Sequence, residues 1–143
     1  EGDNIRRDVE ERLNMLRQTV DAIEPLAALI PGQQRDKLLQ RLQAAGLGMD
    51  SDDERILREI VIYCDRADVT EEIIRLRSHF EQFTRYLANG SEPAGRSLDF
   101  LIQEMYREIT TLGNKAGSCE ISHMVVVVKT ELEKIREQVQ NIE

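Results

Sequence analysis

Apolar positions recur along the chain with the period of an α-helix. Val9, Leu13, Leu16, Val20 and Ile23 step by four, three, four and three residues, which draws a heptad seam down one face of a long helix. This first segment is expected from about Asn4 to Ile30. Pro25 should bend or end it, because proline lacks an amide donor and crowds the preceding turn, and Pro31-Gly32 is the next break. A short helix is expected over Gln33 to Ala44 with Leu38, Leu39 and Leu42 inward, followed by a loop at Gly46, Gly48 and Asp50. Ser51 and Glu54 form a capping-box pattern, with Asp52 and Asp53 beside it, ahead of Ile56, Leu57, Ile60, Val61 and Cys64. Asp68 and Glu71 form a second such pattern. It precedes the seam Val69, Ile73, Leu76, Phe80, Phe83 and Leu87, and Asn89-Gly90 closes that helix. After a loop at Ser91 to Gly95, a helix from near Arg96 carries Leu98, Leu101, Ile102, Met105, Ile109 and Leu112, and Gly113 and Gly117 weaken its end. The last helix, about Glu120 to Asn141, has the seam Val125, Val128, Leu132, Ile135, Val139 and Ile142. Its valine run continues the helical period and has no hairpin partner, so it reads as helix. The pattern as a whole predicts an all-α fold, a single domain over residues 1–143. It is a bundle of about six helices, including long amphipathic, coiled-coil-like ones with antiparallel neighbours.

Composition narrows the class. With 143 residues the chain can bury a sizeable core. It has three Phe, three Tyr and no Trp, so Leu, Ile and Val must fill that core. The net charge of -8 does not advertise nucleic-acid binding, although an acidic total can hide a local basic patch. Cys64 and Cys119 have neither CxxC nor zinc-like spacing and read as reduced thiols of a cytoplasmic protein. No signal peptide is evident, and the run from Met124 to Val128 is too short to span a membrane. The opening Glu1-Gly2-Asp3 without an initiator Met suggests part of a longer chain.

Two helices carry a polar stripe beside the apolar seam. At about 100° per residue, Glu104, Glu108, Thr111 and Lys115 fall on one face, with Arg107 at its margin. Glu72 and His79 flank the seam of the preceding long helix, with Asp68 and Arg75 just outside them. Carboxylates so placed can hold a divalent cation, and Arg or Lys beside them can hold phosphate, a combination suited to phosphodiester hydrolysis. The same residues also suit ordinary salt bridging between helices. His79 on its own fits a packing role equally, and His123 reads as surface or capping. No GxSxG, P-loop, HExxH or dinucleotide-binding turn occurs. Nor is there the sheet or barrel of stacking aromatics found in common RNA-binding modules.

Three ordered blocks resemble the YicC/YloC family. They are Asp68-Val69-Thr70-Glu71-Glu72-Ile73-Ile74-Arg75-Leu76-Arg77-Ser78-His79, the stretch from Gly95 through Glu108 to Lys115, and the ending from Lys134 to Glu143. The resemblance implies the helical C-terminal half of an endoribonuclease, with a separate N-terminal domain not in this chain. It also implies dependence on Mn²⁺ or Mg²⁺, RNA as substrate and assembly into a homo-oligomer, a hexamer by the resemblance. Carried onto matching positions, Glu104 and Glu108 would bind metal with Glu72 or Asp68. Arg75, Arg107 and Lys115 would hold RNA phosphate. His79 would act as acid, base or phosphate contact, since an imidazole ordinarily titrates near neutrality. Tyr106, Thr110 and Asn114 depart from the Asn, Asn and Ser usual in the family. The first two are expected to face away from the carboxylate stripe. The rival reading is a non-catalytic helical assembly module whose polar stripes only set helix register.

Overall fold

The computed structural model describes residues 2–46, 53–89 and 94–142, and every element in them is helical. The elements are α1 (Gly2–Ala28), α2 (Ile30–Ala44), α3 (Glu54–Asp65), α4 (Thr70–Asn89), α5 (Ala94–Ala116) and α6 (Cys119–Ile142). The all-α expectation holds, including the helical reading of the valine run.

Four of these helices close on themselves. α4 packs on α5, α5 on α6, α6 on α1, and α1 returns to α4. The heptad seams point into this ring. Leu13, Leu16, Leu76, Phe80, Phe83, Met105, Ile109, Leu112, Leu132 and Ile135 are all essentially inaccessible. Burying each such side chain stabilises the fold by roughly 1.5–3 kcal/mol. Ion pairs at the rim tie α1 to both neighbours. Arg12 reaches Glu131 on α6 at 2.9 Å, and Arg77 on α4 reaches Asp21 at 2.7 Å and also Glu24. α1 therefore packs on its own chain.

The prolines bend the first helical path without dividing it as expected. α1 runs through Pro25 to Ala28, and α2 starts at Ile30, three residues before the expected Gln33. A tight Leu29-to-Leu26 hydrogen bond of 3.2 Å joins them. Pro31 sits in the first turn of α2, where its missing amide costs nothing. α5 likewise begins at Ala94, ahead of the expected Arg96.

Two capping expectations are corrected. Ser51 and Asp52 lie outside the described residues, and Asp53 is the N-cap of α3, accepting from the Arg55 amide at 2.9 Å. Asp68 does accept from the Thr70 amide, but Glu71 turns outward to Arg75 and does not complete a reciprocal box. Gly90 and the loop at Ser91 to Pro93 are likewise outside the described residues. α5 continues through Gly113 to Ala116, and Gly117 terminates it with φ +60°, the left-handed conformation glycine adopts without penalty.

α2 and α3 pair with each other beside the bundle. Leu38, Leu39 and Leu42 of α2 were expected to face inward. They are half-buried, and on α3 Ile60 is fully covered while Leu57 and Val61 are exposed. Among the described residues no third helix closes over this pair, so the inward expectation for α2 overstated its burial.

Candidate carboxylate–imidazole site between two helices

α4 and α5 are neighbours whose cross-helix pairs run in opposite order along the two helices, so they are antiparallel. That arrangement lays the polar stripe of each against the other. Starting near the connection between them, His79 faces Glu104 and Glu108, Arg75 faces Glu108, and Glu72 faces Lys115. Each stripe lies next to a buried seam, which is why its inner members are desolvated.

One donor atom from each of His79, Glu104 and Glu108 lies within 4.8 Å of the other two. Glu108 is buried, while His79 and Glu104 are half-buried. Nδ1 of His79 is buried with no hydrogen-bond partner among the described residues. A buried ring nitrogen left unpaired is unfavourable, and an ion or a polar ligand would relieve it. Ligands about 2.0–2.2 Å from an ion lie at most about 4.4 Å apart. Small side-chain rotations would therefore bring these three donors to ligating distance. Glu104 makes no hydrogen bond or ion pair among the described residues, so its carboxylate is uncommitted.

Basic groups flank the cluster. Arg75 lies 3.6 Å from Glu108 and 3.1 Å from Glu71 and is half-exposed. Lys115 donates to Glu72 at 2.7 Å. Glu72 is 2% exposed, and its second carboxylate oxygen has no partner. Burying a charge this deeply requires a partner, and the ammonium of Lys115 supplies it.

The structure thus brings together His79, Glu104 and Glu108, with Arg75 on their edge. Glu72 belongs to a separate ion pair about two turns further along. Asp68 stands apart from the cluster, accepting from the Thr70 amide at 2.9 Å and its hydroxyl at 2.6 Å. Those hydrogen bonds, first from the hydroxyl and then from the amide, hold its carboxyl below the usual aspartate range. Arg107 is exposed and has no side-chain ion pair among the described residues. Tyr106 lies under the ammonium of Lys129 on α6, 5.1 Å from the ring centre, which agrees with its expected orientation away from the carboxylates. His123 is exposed, as expected.

One part of this face had no signature in the sequence. A cavity of about 420 Å³ opens beside Lys115, lined also by Gln34, Tyr63, Arg66, Thr111 and Asn114. Its walls come from α2, the end of α3 and the end of α5, segments far apart in the chain. Tyr63 and Arg66 show no periodicity that separates them from ordinary surface residues.

A closed helical bundle with carboxylates and an imidazole gathered between two of its helices is of the class in which ligand and metal sites can be built from side chains on facing helices. Within that class, the chain belongs to the endoribonuclease YicC-like C-terminal family, whose model matches residues 23–143. It is 39% identical over its whole length to a probable endoribonuclease YicC of Clostridioides difficile, covering 49% of that protein. It is 34% identical over its whole length to a probable endoribonuclease YicC of Haemophilus influenzae, again covering 49%. The chain therefore spans about half the length of these relatives.

Proposed function

We propose that this chain is the helical portion of a metal-dependent endoribonuclease in which His79, Glu104 and Glu108 hold a divalent cation. The observation that carries the reading is the approach of these three donors to within 4.8 Å, with the buried Nδ1 of His79 unpartnered. The names of the two relatives support the reaction class. One nitrogen and two carboxylate oxygens suit Mn²⁺ better than Mg²⁺, which favours an all-oxygen shell. When bound, the cation supplies an activated water and neutralises charge developing on the phosphodiester. Electrostatics supports the same conclusion. The Glu104 and Glu108 carboxylates would repel an RNA phosphate unless a cation lay between them. Arg75 then grips a phosphate oxygen with guanidinium donors that its two carboxylate contacts leave over, Lys115 contacts the strand further along α5, and Arg107 steers it from the exposed margin.

Substitution of Glu104 is the direct test, because no partner is left unpaired. In the full-length protein, Glu104→Gln is expected to lower Mn²⁺-dependent cleavage of a structured RNA on the order of 100-fold. The fold should be retained. Undiminished cleavage would defeat the assignment.

A second role, self-association, is favoured by α3. Leu57 and Val61, one helical turn apart on one face, are 46% and 57% exposed. We take this apolar face to be the contact through which copies of the protein assemble. Assembly of this kind is compatible with catalysis. A module that only assembles would bind no Mn²⁺ at Glu104 and Glu108.

A further inference from the structure

We infer that the cavity walled by α2, α3 and the end of α5 is a nucleotide subsite that holds an unpaired base of the RNA against Tyr63 and the adjoining phosphate on Arg66. This rests on the reading of the chain as an RNA-cleaving protein and extends it to how the strand is held. The cavity, about 420 Å³, lies within the range that accommodates small ligands. Its lining is a ring, two cations and neutral hydrogen-bonding groups, which are the chemistries a single nucleotide requires. Tyr63 is 38% exposed and its hydroxyl donates to Gln34 Oε1 at 3.4 Å, so the ring is tethered at its edge. A tethered, half-exposed aromatic face is a stacking platform for any base. Arg66 is exposed and makes no ion pair among the described residues, which leaves its full guanidinium for phosphate. Lys115 is held at the cavity by the buried Glu72 carboxylate at 2.7 Å, and adds a second positive group. Thr111 and Asn114 offer neutral donors and acceptors toward a base edge or ribose hydroxyl.

Position fixes which nucleotide this is. Lys115 lies seven residues beyond Glu108 on α5, about 10 Å along the helix axis. A strand whose scissile phosphate sits at the carboxylate–imidazole cluster would therefore place a neighbouring nucleotide, not the scissile one, in the cavity. The site favours a single strand or a loop, because a paired base cannot present its face to Tyr63.

The experiment measures binding of a short fluorescein-labelled single-stranded RNA to the full-length protein by anisotropy, without divalent cation, beside cleavage kinetics with Mn²⁺. Tyr63→Leu is expected to weaken binding about tenfold, since one stacked base contributes on the order of 1–3 kcal/mol, and Arg66→Gln about as much through loss of its charge-assisted phosphate contact. Each should raise KM more than it lowers kcat. Tyr63→Phe keeps the ring and should recover most of the affinity that Tyr63→Leu loses. Equal loss in Tyr63→Phe and Tyr63→Leu would overturn stacking, and wild-type binding by Tyr63→Leu and Arg66→Gln would overturn the subsite. Glu104→Gln, assayed alongside, separates the two conclusions. Its cleavage tests the cation site, whereas the cation-free binding of the Tyr63 and Arg66 variants decides the subsite whichever way that cleavage falls.

Discussion

Asp68 illustrates how one carboxylate can serve the chain without joining its chemistry. Its side chain satisfies the Thr70 amide at the start of α4, a donor that the helix itself leaves free. Asp68→Ala is expected to cost about 1 kcal/mol in chemical denaturation, the usual worth of such a cap. The folded carboxyl titrates below its ordinary value near 3.8, because the Thr70 hydroxyl and amide stabilise the charged form. A depressed folded value means that the contribution is complete above the unfolded pKa and is lost as pH falls through the folded one. The stability difference between wild type and Asp68→Ala should therefore be constant near neutrality and shrink in acid below about pH 4. A difference that grows in acid would contradict this assignment. At the same scale, Glu104 and Glu108 differ in a useful way: Glu108 already faces Arg75, while Glu104 faces no cation among the described residues. Glu104 is therefore the cleaner reporter of an ion.

Among the helices, the contact of α5 with α6 is set by Gly113. A β-carbon there would meet both methyl groups of Val125 at 3.3 Å, tighter than packed atoms normally sit. Val125 is buried and β-branched, so it has essentially one helical rotamer and cannot swing aside. Glycine inside a helix ordinarily costs about 1 kcal/mol relative to alanine. Here close approach outweighs that term. Gly113→Ala is expected to lower the unfolding temperature. In a Val125→Ala background the same substitution should raise it, by up to about 1 kcal/mol of helix propensity. The same sign in both backgrounds would mean that Val125 is not the obstacle. This close approach also helps fix the position of α5, and hence where Glu104 and Glu108 stand against His79.

In the whole molecule, binding and assembly give measurements that do not depend on turnover. An ion bound only by the folded state stabilises it by mass action, about 2.7 kcal/mol at 100 times its dissociation constant. Mn²⁺ should raise the unfolding temperature of the wild-type protein, chelation should reverse the rise, and Glu104→Gln should abolish it. A rise of equal size in Glu104→Gln would place the ion elsewhere. For assembly, Val61→Glu puts a charge in the middle of the exposed face of α3. It is expected to shift light-scattering mass toward the monomer while leaving helical content unchanged. An unaltered mass would remove α3 from the interface. The charge balance of the molecule fits both roles. A net charge of -8 is compatible with binding RNA because Arg66, Arg75 and Lys115 are gathered on one side.

Residue pattern alone was enough to establish the helices and which face of each long one turns inward. Period-3.6 seams with adjacent polar stripes follow from local geometry, and the seams of α1, α4, α5 and α6 are buried as their spacing requires. It also marked His79, Glu104 and Glu108 as stripe members, because residues four apart share a helix face wherever that helix goes. Which stripe meets which follows from how the helices pack. Only the antiparallel register of α4 and α5 sets His79 against both glutamates, pairs Glu72 with Lys115 and leaves Asp68 to its cap. Packing also decided that α3 keeps an apolar face exposed, since burial depends on a covering partner that periodicity does not encode. The cavity at Tyr63 and Arg66 was illegible for the same reason: its walls come from three segments distant in sequence, and a surface made by folding has no period along the chain.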